Sequence, residues 1–155
     1  MKKTTKNNNK TSTNSNNDIE EYIKNAEISL ANLEKVGALF LSIGYFNFFT
    51  GANLDILDIL DINDTGRSPD KTFFEGQSVT VIGYSLLWIV AKNRVDVDIL
   101  KKKYTGDSEG TLPHEKLAAA YSISIFANLL RLESFWYLYE LSLKREESKN
   151  KNSDS

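Results

Sequence analysis

The run VGALFLSIGYFNFFTGANL, residues 36–54, holds nineteen consecutive residues without a charge. As a helix it would present Phe40, Leu41, Ile43, Phe46 and Phe49 around most of its circumference, where a soluble helix needs an apolar stripe only about 100° wide. Such a helix requires cover on every side.

Just upstream the pattern is amphipathic. Ile19, Ile23, Ala26, Leu30, Leu33, Gly37, Phe40 and Gly44 succeed one another by alternating steps of four and three, a seam that continues into the charge-free run. Up to Lys35 the opposite face carries Glu20, Glu21, Lys24, Glu27 and Glu34. The seam is the candidate partner-binding surface, its partner being another helix of the chain or of a second copy. Asp18, with Glu21 three positions on, reads as a capping-box start for this helix. Gly51 reads as its end, because glycine adopts the left-handed conformation that closes helices.

Downstream, Asp55, Asp58 and Asp61 recur every third position between apolar residues, which predicts a short acidic helix over Leu54–Ile62. Asn63–Gly66 is a turn. Ser68-Pro69-Asp70 supplies cap, first-position proline and first-turn acid for the next helix. That helix carries a second apolar run, Val79–Ala91, and an amphipathic continuation to Tyr104, ending at Thr105-Gly106. A last helix is expected from His114 to about Glu146. Its apolar run, Leu117–Leu130, is interrupted by Arg131 and Glu133 before Phe135, Trp136, Tyr137 and Tyr139.

The expected fold is therefore all-α: three long helices plus one or two short ones in an antiparallel bundle, with a membrane-spanning arrangement open to it. The domain covers residues 18–146. Residues 1–17 and 147–155 are so rich in Lys, Asn, Ser, Thr and Glu that they bury too little apolar surface to offset their conformational entropy, so they are expected to be disordered tails.

Composition excludes several functions. With 19 basic and 21 acidic residues the chain has no basic field for nucleic acid. Zero cysteines leave no disulfide and no thiolate site. Met1–Asp18 contains no apolar run of the kind a secretory signal needs, so entry into a membrane would be directed by an internal helix.

Two readings compete for the charge-free helices. Lipid is favoured by small residues at close-packing spacing (Gly37 with Gly44, Gly83, Ala120 with Ser124) and by aromatic residues at the ends of the runs (Trp88, Trp136, Tyr137). Basic residues Lys92, Arg94 and Lys101–Lys103 lie between the second and third runs, whereas the first and second are joined by an acidic segment. Three spans with the N-terminus and basic loop in the cytoplasm satisfy the positive-inside rule. Against lipid stand the shortness of the second and third runs and a mean hydropathy of -0.37. The expectation is a non-enzymatic helical protein of the cytoplasmic membrane acting through helix–helix contacts. The alternative is a cytoplasmic, self-associating four-helix bundle serving as an interaction module.

No motif identifies a catalytic residue, metal, cofactor or small-molecule ligand. Asp61-x-Asn63-x-Thr65-Gly66 resembles the first half of an EF-hand loop, but its twelfth position is Thr72 where a bidentate glutamate is needed, so an Asx turn is the better reading. His114, the only histidine, has no evident partner in the sequence.

Overall fold

The computed structural model describes residues 9–104, 106 and 110–153; of residues 9–16, 149, 150, 152 and 153 only the backbone is described. It contains three helices, α1 (Asn9–Ile59), α2 (Pro69–Tyr104) and α3 (Leu112–Ser153). Among the described residues there is no strand. The fold is all-α as expected, but among the described residues there are three helices and no short ones.

The differences lie at helix ends. α1 runs through Gly51 without a break, so the acidic segment forms its last turns instead of a separate helix. Gly51 is there for space: a Cβ at this position would meet the Phe73 ring at 2.9 Å. The true stop lies ten residues later. Asp61 adopts φ 55°, its N–H bonds the Asp58 carbonyl, and the Ile62 N–H reaches back to the Leu57 carbonyl. This is a Schellman closure with aspartate in the left-handed position that glycine usually fills. At the other end helical backbone continues upstream from Asp18 to Asn9, so Asp18 is an interior residue and not the cap.

The start of α2 is as the sequence predicts. The Ser68 hydroxyl accepts the Lys71 N–H and the Ser68 carbonyl accepts that of Thr72. α3 begins two residues before His114, its first turn closed by the Glu115 N–H on the Thr111 carbonyl.

α2 lies centrally, antiparallel to both neighbours. Among the described residues no Cα atom of α1 lies within 8 Å of a Cα atom of α3. They meet only through long side chains: the Phe48 and Phe135 rings lie 5.6 Å apart, and the Arg131 guanidinium sits 5.2 Å from the Phe48 ring. Phe73 completes this cluster, so one aromatic group joins all three helices near the acidic end.

By length and composition α2 is the one helix, among the described residues, apolar enough to cross a membrane. Replacing Asp61 with glycine removes the side chain that disfavours the left-handed conformation, which costs about 1 kcal/mol at a non-glycine position. Asp61→Gly is expected to raise the unfolding free energy by about that amount, read by thermal or denaturant unfolding; no gain would mean that the closure is not limited by backbone strain.

Candidate functional site

The seam residues alternate between buried and half-buried on one face of α1. Ile23, Leu30, Gly37 and Gly44 are buried; Ile19, Ala26, Leu33 and Phe40 are half-buried. At its glycines the occupant of the seam is α2 of the same chain. A Cβ on Gly37 would lie 3.3 Å from the Gly83 carbonyl oxygen, and one on Gly83 would lie 3.0 Å from that of Gly37. Gly44 and Gly76 face each other in the same reciprocal way, at 2.9 and 3.0 Å. Two antiparallel helices thus touch backbone to backbone at glycines one heptad apart, which is possible only where neither carries a side chain. Gly44 is the tightest position: its Cβ would come within 2.2 Å of the Thr80 hydroxyl oxygen.

Ion pairs fix the register outside the glycines. Glu34 bonds Arg94 and Glu27 bonds Lys101, joining α1 to α2. On the other side His114 Nδ1 lies 2.6 Å from Asp98 Oδ2, linking the start of α3 to α2. The partner of His114 is not legible in the sequence because Asp98 lies sixteen residues earlier, across the loop between α2 and α3.

The interior is polar where α2 meets α3. Gln77 and Thr80 are fully buried and Asn128 is 7% exposed. The Gln77 amide nitrogen donates to both the backbone carbonyl and the side-chain oxygen of Asn128, each at 2.8 Å, and the Asn128 amide donates to the Ser124 carbonyl. Gln77 Oε1 accepts no hydrogen bond. Sequence reasoning missed this pair, although a signal existed: an amide inside a charge-free run has no local use, and two such amides on adjacent helices are natural partners.

Serine and threonine in this region are satisfied within their own helices. The hydroxyls of Ser42, Thr50, Ser78, Thr80, Ser85, Ser122, Ser124 and Ser134 each donate to the carbonyl four residues back. None of these donors depends on water.

The outer surface is apolar over the same stretch. Leu39 is 58% exposed, Phe46 66%, Ile123 71% and Phe126 65%. Trp88, Ile89, Leu129 and Leu130 are exposed as well.

The acidic end offers an open groove of about 620 Å³ between the start of α2 and the later part of α3, lined by Asp58, Asp70, Glu75, Tyr139 and Arg145 among others. Burial and the nearby Asp55 carboxylate hold Asp70 above its ordinary value of 3.8; Arg145 partly offsets them, and Asp58 adds to the rise. The EF-hand-like segment beside it is an Asx turn. Asn63 Oδ1 accepts from the Thr65 N–H at 3.1 Å and the Thr65 hydroxyl at 2.6 Å, so the oxygen a cation would need serves the loop's own donors. Among the described residues no three His, Asp or Glu side chains converge as a metal site requires.

No family model matches the chain, and no curated protein or solved structure is significantly similar to it.

Two outcomes follow from this geometry. Gly44→Ala sets a Cβ against backbone and a buried hydroxyl, and overpacking of this kind costs about 2 kcal/mol. Gly37→Ala mainly displaces the flexible end of Leu87, 3.0 Å away, and should cost less; equal losses in thermal unfolding would contradict the assigned contacts. Asp70 holds its proton more tightly folded than unfolded, so between its ordinary value and its raised one the folded state binds more protons and stability falls as pH rises. Asp70→Asn should therefore flatten the decline above about pH 4, and an unchanged stability–pH profile would count against the assignment.

Proposed function

We propose that the chain is a small, non-enzymatic protein of the cytoplasmic membrane, whose charge-free helical segments lie in lipid and which acts through helix–helix contacts. One observation carries this reading: over residues 36–54, 76–91 and 117–130 polar side chains share the interior with Leu54, Leu87, Val90 and Ala118, Gln77 and Thr80 being fully buried, while the large apolar Phe46, Ile123 and Phe126 face outward. In water the hydrophobic effect drives the opposite sorting. In lipid no such force acts between helices, and association rests on small residues, close backbone packing and interhelical hydrogen bonds. Those are the features of the α1–α2 glycine contacts and the Gln77–Asn128 pair. The hydroxyls bonded one turn back suit a medium that offers them no other acceptor.

Orientation follows from charge. Lys92, Arg94 and Lys101–Lys103 lie at one end of the bundle and Asp55, Asp58, Asp61 and Asp64 at the other, so the basic C-terminal part of α2 and the N-terminal part of α1 are assigned to the cytoplasmic side.

A second reading is favoured by a specific observation. α1 and α3 are long enough to span but, among the described residues, contain no stretch apolar enough to do so, and the charge-free runs of α2 and α3 are short. A self-associating bundle in water, with a second copy covering Phe46, Ile123 and Phe126, accommodates short runs.

Fractionation separates the two. The full chain expressed without detergent should sediment with membranes and resist extraction by alkaline carbonate. Recovery in the soluble fraction as a discrete dimer by analytical ultracentrifugation would replace the first reading with the second, and a soluble monomer would remove both.

A further inference from the structure

The charges that bracket each apolar run set the thickness of lipid the bundle can accept. Glu75 and Lys92 bound a run of sixteen residues on α2, and Lys116 and Arg131 bound one of fourteen on α3. At the helical rise these measure about 24 and 21 Å. An ordinary bilayer has a hydrocarbon core about 30 Å thick.

α1 has a longer run, yet the register prevents its use. Gly44 faces Gly76, so Glu75, with its side chain about half exposed, stands beside the middle of that run and not beyond it. On α3, Arg131 reaches the Phe48 ring, which lies seven residues, or about 10 Å, before Asp55 closes the run on α1. At the other limit Lys35 of α1 stands nearly level with Ser85 of α2, but its ammonium turns back to Asn32 and Glu34 reaches Arg94, so the charged heads, and not the sequence runs alone, leave the three helices a shared band about 20 Å deep. Tilting the helices would shorten it further along the membrane normal.

Resting on the membrane reading, we infer that the partner of this apolar band is a thin bilayer, one built from short acyl chains or locally thinned around the protein. A thick bilayer would draw Glu75, Arg131 or Glu133 into hydrocarbon, or would have to compress around them, and each ångström of mismatch has a cost. The aromatic residues agree with the short spacing. Trp88 lies near one limit, and Trp136, in contact with Phe74 on α2, lies near the other. Fourteen residues of α2 separate these two levels, again about 21 Å.

The test uses the full chain, purified in detergent and reconstituted into phosphatidylcholine vesicles whose monounsaturated chains have 14, 16, 18, 20 or 22 carbons. The readouts are the fraction that co-floats after carbonate washing and the thermal unfolding midpoint. Insertion is expected to be best at 14 or 16 carbons and to fall by about tenfold toward 22, as the mismatch grows. The triple variant E75L/R131L/E133L extends the band to residues 72–91 on α2 and 117–139 on α3, about 30 and 35 Å. Its optimum should move to 18 carbons or longer.

An optimum at 18 carbons or above in the natural chain, or equal insertion at all lengths, overturns the inference while leaving the membrane reading in place. A variant that inserts with an unmoved optimum overturns it as well. If the variant fails to fold, the natural chain's length profile decides alone. Failure of the natural chain to co-float with any vesicle overturns both the inference and the reading it rests on.

Discussion

The close approach of α1 and α2 at Gly37–Gly83 and Gly44–Gly76 is the constraint from which the rest of the structure follows. Backbones that touch leave no room for side chains between them, so the large apolar groups of both helices are turned to the sides and the outside. That is why Leu39, Ile43 and Phe46 are exposed while Gly44, between Ile43 and Phe46 in sequence but on the opposite face, is buried. The same contact sets the register. Once Gly44 faces Gly76, Glu34 and Glu27 come within reach of Arg94 and Lys101, and Phe73 lies over Gly51.

α2 has two packed faces with different chemistry. Toward α1 it offers glycines and Thr80, whose hydroxyl is bonded to the Gly76 carbonyl and is therefore no unmet donor at the tightest point of the seam. Toward α3 it offers Gln77, whose single amide nitrogen bonds Asn128 twice. An interhelical amide pair is worth about 1 kcal/mol in either lipid or a dry core, and less than that once the unmatched Gln77 oxygen is counted. Its value lies in register: a slip of α3 by one residue would remove both bonds and leave several polar atoms without partners.

Where the α1 seam carries glycine it packs on α2, and a helix imposes the same four-and-three spacing on any chain that packs against it. Gly51 was misleading because glycine serves two unrelated ends, freedom of φ and absence of a side chain, and the sequence does not say which is used. It closes nothing here; Asp61, a residue that rarely takes the left-handed region, does so instead. The acidic repeat then reads as the end of a long helix and not as a short helix of its own. Residues 9–17 form helical backbone although Asn, Thr and Ser have weak helix propensity. The pairs His114–Asp98 and Gln77–Asn128 were invisible for another reason, since each depends on where α3 lies against α2, and no periodicity in either helix reports that position.

α1 carries one seam through two environments. From Ile23 to Lys35 it behaves as a helix in water does, with Ile23 and Leu30 buried and two ion pairs to α2, Glu27 with Lys101 and Glu34 with Arg94. From Gly37 onward it is held by backbone contact, with apolar groups outward. No loop, proline or change of periodicity separates the halves, and a continuous helix transmits rotation and translation along its length. A sliding of α1 by one turn would part the ion pairs and at the same step drive Leu41 or Phe48 toward positions now occupied by glycine. The hydrophobic and ionic contacts of one half and the glycine contacts of the other therefore stabilise a single register, and neither half can adopt another while the other keeps its own.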